Sequence, residues 1–341
     1  MRATDPTSAA DEGNLGDMDP EEFRRHAHAV VDWMADYFRD VEKYPVLARV
    51  QPGETAARLP ADAPEHPEPM ADILRDFDRT IVPGITHWNH PDFFAYFAIS
   101  GSAPGVLGEM LAAALNVNAM LWRTGPSPTE LEERSLDWLR QMMGLPADFR
   151  GHIQDTASIS SLTAIATARE EAGLGIREEG MGGRDVPRLR LYCSEEAHSS
   201  IEKAGITLGI GRAGTRRIPT DGEFRMDPAA LEAAIREDVE AGWKPFCVVA
   251  TVGTTSTTSV DPVREIAGVA ERHGLWLHVD AAYAGSAALA PEMRWILDGC
   301  ERADSLVVNP TSGSSCRWTA PRSSSAARSG WPTPSPSSPS T

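Results

Sequence analysis

Between residues 189 and 308, four short apolar runs alternate with amphipathic stretches. The runs are Leu189 to Cys193, Phe246 to Val252, Leu275 to Val279 and Ser305 to Val308; the stretches are Ser199 to Ala204, Pro228 to Glu240 and Pro262 to His273. Runs this short and this continuously apolar suit strands covered on both faces, and the intervening stretches suit helices packed upon them. Strict alternation restricts the chain to an α/β domain with a mainly parallel sheet and helices on both faces. Ligands of such sheets bind beyond the carboxyl ends of the strands, so the residues following each run are where chemistry is expected.

Upstream, Asp19-Pro20-Glu21-Glu22 combines a capping aspartate, a first-turn proline and early acids, which predicts a helix reaching about Lys43. Its apolar stripe is Phe23, Ala27, Val30, Val31, Met34 and Phe38. The Pro-rich stretch Pro52 to Pro69 follows, leaving this helix little of its own chain to pack on, so an arm embracing a partner subunit is expected. Ser127-Pro128-Thr129-Glu130 reads as a capping box for a second helix through Leu131, Leu136, Trp138, Leu139 and Met142, closed by Gly144.

Residues 1–18 are polar and acidic without a basic start, and no run of 18 apolar residues occurs, so a cytoplasmic protein without a membrane partner is expected. A formal net charge of −17 lacks the basic footprint of a nucleic-acid partner. Cys193, Cys247, Cys300 and Cys316 form no C-x-x-C, which argues against a zinc knuckle or a disulfide framework; Cys193 and Cys247 are expected as buried thiols. His87 and His90 make an H-x-x-H pair, but an adjoining proline and the lack of a nearby third ligand argue against a metal.

The positions after the apolar runs are chemically rich. Leu275 to Val279 leads into Asp280-Ala281-Ala282-Tyr283-Ala284-Gly285, a carboxylate at a strand end among small residues. Ile153-Gln154-Asp155-Thr156-Ala157-Ser158 precedes a helix, so its backbone N–H groups and hydroxyls can cradle a phosphate. Glu196-Ala197-His198-Ser199-Ser200 follows one strand and Ala250-Thr251-Val252-Gly253-Thr254-Thr255 another. Singly, each has an ordinary reading as a cap, turn or core segment. Gly209-Ile210-Gly211-Arg212-Ala213-Gly214 fits G-x-G-x-x-G, yet it trails a helical stretch instead of following a strand, and a loop is expected there.

Jointly and in this order, the segments resemble the group II pyridoxal-phosphate-dependent amino-acid decarboxylases of the aromatic-L-amino-acid type, over roughly Asp19 to Pro310. The resemblance implies a type I (aspartate-aminotransferase-like) large domain with a mainly parallel sheet at 101–310, an N-terminal helical arm and substrate-pocket segment at 19–100, and a disordered start at 1–18. It implies pyridoxal 5'-phosphate as cofactor, an amino-acid substrate and a homodimer. Asp280 would partner the pyridine nitrogen and His198 would stack on the ring, both as catalytic residues. Thr156, Ala157, Ser158, Thr254, Ala282 and Asn309 would join them in holding the cofactor. Within His87 to Phe97, the resemblance assigns Trp88, Tyr96 and Phe97 to the substrate's side chain, and an aromatic-lined pocket favours an aromatic amino acid.

The pattern then breaks. After Ser305-Leu306-Val307-Val308-Asn309-Pro310 the family continues His-Lys-Trp, whose lysine forms the Schiff base with the cofactor; this chain has Thr311-Ser312-Gly313. Residues 311–341 hold eleven serines, five prolines and no acid, which predicts an aberrant disordered tail in place of the family's C-terminal domain. Codons chosen among the synonyms for Thr311 to Ala320, ACA AGT GGC TCT TCG TGC CGG TGG ACT GCT, make the test. One C restored before them regroups the string to His-Lys-Trp-Leu-Phe-Val-Pro-Val-Asp-Cys, so a single-nucleotide deletion in the gene or its sequencing is expected. Lys43, Lys203 and Lys244 are the only lysines, none at the matching position, and the hydroxyl of Ser312 cannot make an imine. The expectation is a decarboxylase lineage whose literal polypeptide does not turn over. A non-catalytic pseudoenzyme or partner subunit, an aromatic aldehyde synthase, and a decarboxylase for another amino acid stay open as alternatives.

Overall fold

The computed structural model describes residues 18–96, 101–311 and 314–320, and the chain divides into two units, Met1–Ser100 and Gly101–Thr341. The expected disordered start, except Met18, and the tail beyond Ala320 lie outside the described residues, as do Phe97 and Ser312.

In the first unit, α1 (Pro20–Asp40) starts as its sequence predicts, with the Asp19 carboxylate accepting the Glu21 N–H at 2.8 Å and Pro20 in the first turn. A 3₁₀ turn, Val41–Lys43, continues it. No residue of α1 is buried, and Phe23 keeps 58% of its surface. Trp33 stacks on Tyr37 and meets Phe77 edge-on, just beyond α2 (Met70–Asp76). The hydroxyl of Tyr37 lies 2.9 Å from His87 Nδ1, and His90 Nδ1 accepts the Asp92 N–H at 3.0 Å, so both histidines of the H-x-x-H pair serve local structure.

The second unit holds α3 (Ala103–Leu115), α4 (Pro126–Met142), β1 (Arg150–Gln154), α5 (Ala157–Glu171), α6 (Ile176–Glu179), β2 (Arg188–Ser194), α7 (Ser199–Thr207), β3 (Thr215–Ile218), α8 (Pro228–Glu240), β4 (Trp243–Thr251), α9 (Val263–His273), β5 (Trp276–Asp280), β6 (Ser305–Thr311) and β7 (Ser314–Thr319). Among the described residues, seven strands make one sheet in the order β1-β7-β6-β5-β4-β2-β3. From β6 to β3 all neighbours are parallel, and β7 runs antiparallel to β6 and β1. The α/β class with a mainly parallel sheet is therefore present.

Alternation along the strands divides the core in two. Leu191, Cys193, Cys247, Val249 and Trp276 pack with Ile165 of α5 and Ile201 of α7. Tyr192, Val248, Ala250, Leu277 and Val279 pack with Leu231 and Ile235 of α8 and Ile266 of α9. Each central strand is covered on both sides, which is why its sequence is mainly apolar. All four cysteines are buried thiols.

Two local expectations are corrected. The second helix begins at Pro126 with Gly125 as its unassisted cap, and Thr129 Oγ1 bonds Gly125 O at 2.7 Å. The fixed φ of Pro126 starts the helix one residue before the Ser127 box can form. The tail is not unstructured from 311: Ser314–Thr319 fills the slot between β1 and β6, with Trp318 fully buried. Open ladder groups on both sides outweigh the composition of those six residues. The helix α3 and the edge strands β1 and β3 were not anticipated, because α3 is apolar nearly all round and β1 and β3 are mostly polar. The glycine-rich stretch is a loop, as expected, with Gly209 and Gly211 at φ +78° and +75°.

A buried ion pair anchors the far edge of the sheet: Asp238 of α8 receives Arg190 of β2 at 2.9 Å and Arg216 of β3 at 3.1 Å. Asp238→Ala leaves the Arg190 cation buried without its partner, and equilibrium urea unfolding is expected to report a loss of about 3–5 kcal/mol.

Candidate active site

On β4, Cys247 and Val249 face α5 and α7; on β5, Trp276 does the same. Continuing that alternation places Thr251 and Asp280, which are Cα partners in the parallel ladder, on this face at the carboxyl ends of the two strands. On β6, Ser305 pairs with His278 and Val307 with Asp280, so Asn309 is next on the same side. The two helices of this face begin at that edge: Thr156 caps α5 and His198 caps α7. The parallel topology thus gathers a carboxylate, an imidazole, an amide and two helix N-termini around one strand edge.

Asp280 is the centre of the arrangement. Only 6% of its surface is exposed, and burial raises its carboxyl above the usual range; the Ala282 N–H, donated to Oδ1 at 3.2 Å, and the nearby His198 oppose this. Its backbone is locked as well, with Val252 N bonding Asp280 O at 2.8 Å and Ala281 N bonding Val307 O at 3.0 Å. A buried carboxylate of this kind is relieved by a protonated partner brought to it.

His198 is exposed. Its Nδ1 accepts the Ser200 N–H at 3.3 Å and lies 2.9 Å from Ser200 Oγ, so the neutral ring carries its proton on Nε2. The hydroxyl of Thr156 accepts the Ile159 N–H at 3.3 Å and keeps its own O–H to donate. The amides of Ala157 and Ser158, in the first turn of α5, have no acceptor within the helix, and the helix dipole favours an anion there.

The remaining assigned residues separate into two kinds. Asn309 donates its N–H to Ala282 O at 3.3 Å, while its side-chain Oδ1 is buried with no partner among the described residues. Thr254 is fully buried, but its hydroxyl is taken up by the turn: it lies 2.6 Å from Thr257 Oγ1 and accepts the Ser259 N–H at 3.1 Å. Three residues earlier, Thr251 Oγ1 is buried without a partner among the described residues and belongs to the site's face. Sequence reading quoted Thr251 within its segment and singled out Thr254; strand alternation was the signal that separates them. Between the two, Gly253 at φ +86° leaves room for Ala284, whose Cβ would lie 2.6 Å from any Cβ added there.

In the first unit, Trp88 stacks on Phe93 at 4.7 Å and on Tyr96 at 5.8 Å, and Tyr96 is 87% exposed at φ +53°. Phe93 completes this stack and was not singled out from the sequence.

Two polar atoms orphaned among the described residues, a buried carboxyl that is relieved by a cation and an open helix N-terminus fit pyridoxal phosphate. A covalent anchor is a separate matter. Lys244 is near the amino end of β4, opposite Thr251, and Lys203 lies inside α7.

Residues 52–313 match the family model of the pyridoxal-dependent decarboxylase conserved domain. The chain belongs to that family. It is 43% identical over 305 residues to tyrosine/DOPA decarboxylase 2 of Papaver somniferum, covering 87% of this chain and 56% of that one. It is 44% identical over 300 residues to phenylacetaldehyde synthase of Petunia hybrida, covering 86% and 58%. The crystal structure of Oryza sativa TDC with PLP and tryptamine superposes with a TM-score of 0.85 at 37% identity, over 90% of this chain and 68% of that one. The chain thus spans little more than half the length of the curated relatives it matches.

The raised carboxyl of Asp280 has a thermodynamic consequence. A carboxyl whose folded pKa exceeds its unfolded one opposes folding wherever it is ionised, fully above the folded pKa and not at all below the unfolded value of about 4. Asp280→Asn is therefore expected to stabilise the ligand-free pyridoxal-family chain at pH 7 by roughly 1–3 kcal/mol, a gain that fades toward pH 4 in thermal melts.

Proposed function

We propose that this chain comes from a pyridoxal-phosphate-dependent decarboxylase that converts an aromatic L-amino acid to its amine and carbon dioxide, in the cytoplasm and as a homodimer in its intact form. The observation that carries the reading is the buried Asp280 carboxyl facing the same strand edge as His198 and the open first turn of α5. When bound, pyridoxal phosphate supplies an electron sink for the pair left by a broken Cα–carboxylate bond. Asp280 holds a proton at the ring nitrogen by offering its charge in a low-dielectric place. Thr156, Ala157 and Ser158 hold the phosphate. His198 orients the ring and presents a proton at Nε2. Asn309 and Thr251 offer the edge of the site their unpaired oxygens, and the turn built on Thr254 keeps Thr251 in position.

For the substrate, support comes from the exposed Trp88 and Tyr96 stack and from the names of the relatives, most of which are decarboxylases of tyrosine, DOPA or tryptophan. An aldehyde synthase is the second reading, favoured by the 44% identical Petunia enzyme. Product analysis separates them: an amine identifies the first and an aldehyde with ammonia the second.

The reading includes a frameshift after Pro310. Besides the codon regrouping, β7 supports it by burying what a strand in this slot should avoid. Burial lowers the Arg317 guanidinium from its ordinary range, and Arg317 Nε and Trp318 Nε1 are buried without partners among the described residues. The restored frame begins the same strand with Leu, Phe and Val. With the frame restored, borohydride reduction and mass spectrometry are expected to find a phosphopyridoxyl group on the regained lysine. The 341-residue chain is expected to give no lysine adduct. Turnover by the restored enzyme should fall about a hundredfold or more with Asp280→Ala, and near-normal turnover would reduce Asp280 to a structural cap.

The homodimer is supported by the uncovered apolar residues of α3, Leu107, Leu111 and Leu115, at 56%, 66% and 71% exposure, and by the unburied arm α1. Light scattering of the frame-restored protein is expected to give a dimer that Leu111→Asp shifts toward monomer; a stable monomer without the substitution would contradict the assembly.

A further inference from the structure

Behind the site, between α5 and the strands, lies a polar cluster in a place where apolar side chains are the rule. His278 is fully buried in the middle of β5. Its Nδ1 is 2.9 Å from Ser305 Oγ on β6, and its Nε2 is 3.3 Å from Ser161 Oγ on α5. Trp276 Nε1 donates to the same Ser305 Oγ at 2.9 Å. Ser161 and Ser305 are also fully buried.

The cluster spans the elements that carry the two ends of the site. His278 precedes Asp280 by two residues on one strand, about 7 Å along it. Ser161 follows Thr156 by five residues on one helix, about 7.5 Å along its axis. Ser305 starts the strand that ends at Asn309 and beyond. An apolar contact between a helix and a sheet tolerates sliding, whereas two directed hydrogen bonds from one imidazole hold a single register.

We propose that His278 is a positioning residue that ties α5 to β5 and β6 and so sets the span between the phosphate-binding turn and the Asp280 carboxyl. Burial, with the Arg317 guanidinium adding to it, pushes its imidazole down to about 3, so the ring is neutral at ordinary pH and does not compete for the charge of Asp280. A neutral ring satisfies both hydroxyls in either tautomer, accepting at one nitrogen and donating at the other.

The inference rests on the proposed cofactor site, and two measurements on the 341-residue chain keep them separate. In the first, phosphorus NMR and fluorescence titrations compare pyridoxal 5'-phosphate with inorganic phosphate and with pyridoxine, each of which engages one end alone. His278→Phe keeps the bulk and removes both bonds; it is expected to weaken pyridoxal phosphate about tenfold while leaving the two one-ended probes within roughly twofold. His278→Gln, which keeps a donor and an acceptor, is expected to recover most of the loss. Equal weakening of all three ligands, or no change for pyridoxal phosphate, overturns the positioning role.

The second measurement needs no ligand. Amide exchange at residues 157–163 is expected to be about tenfold faster in His278→Phe, with α9 unchanged. Unchanged exchange there overturns the inference even if the parent chain binds none of the probes, a result that would itself refute the cofactor reading. Should the Phe variant not fold, Ser161→Ala cuts the helix side of the network alone and is held to the same two outcomes.

Discussion

An ionisable carboxyl placed at the end of a strand that is covered on both faces is expensive unless something positive comes to meet it. Asp280 is in that position: β4 and β6 flank it, helices lie above and below the sheet, and among the described residues only Ala282 N–H and His198 soften its burial. Nothing in the packing of the domain calls for a carboxylate there. A fold that carries such a cost in its ligand-free form has its reason in the ligand, and the rest of the site follows from the same edge. Because the sheet is parallel and its crossovers are helices, strand ends and helix beginnings fall together, so one edge receives the carboxyl of Asp280, the imidazole of His198 and the free amides of α5 without any unusual backbone.

Much of this was legible in the residues. The alternation of apolar runs identified β2, β4, β5 and β6 and three of the helices between them, because strands buried twice over leave a mainly apolar signature. The cap Asp19 and the proline at 20 announced α1 through chemistry local to four residues. What escaped was whatever depends on partners distant in sequence. The edge strands β1 and β3 are mostly polar and acquire their conformation from the ladder beside them. The capping box at Ser127 was locally sound but lost to a proline one residue earlier. Thr251 and Thr254 are equally plausible in a list of residues; only the pleat, which turns Thr251 toward α5 and α7 and Thr254 into a turn, distinguishes them.

The seventh strand shows the difference between occupying a position and belonging to it. Ser314–Thr319 pairs antiparallel with both neighbours, in unbroken register with β1 and with an irregularity between Val308 and Thr311 on the β6 side. Its side chains are another matter, since Arg317 Nε and Trp318 Nε1 are buried with no acceptor among the described residues. Backbone pairing is indifferent to sequence and side-chain burial is not, so a segment can enter a sheet by the first while failing the second. The contrast with β5 is instructive, because there each buried polar side chain, His278 included, meets a partner.

Dual use of single groups explains how the site is held with so few residues. Thr156 spends its lone pair on the first turn of α5 and retains its O–H for an anion. His198 spends Nδ1 on the first turn of α7 and retains Nε2. In both cases the bond that caps the helix also fixes the rotamer and, for histidine, the tautomer, so the energy that starts each helix orients the group at the strand edge. The lysine that family members place after β6 has no such structural duty. The caps and the parallel strands fold without it, so the proposed noncovalent contacts to pyridoxal phosphate depend on α5, α7 and the strand ends alone.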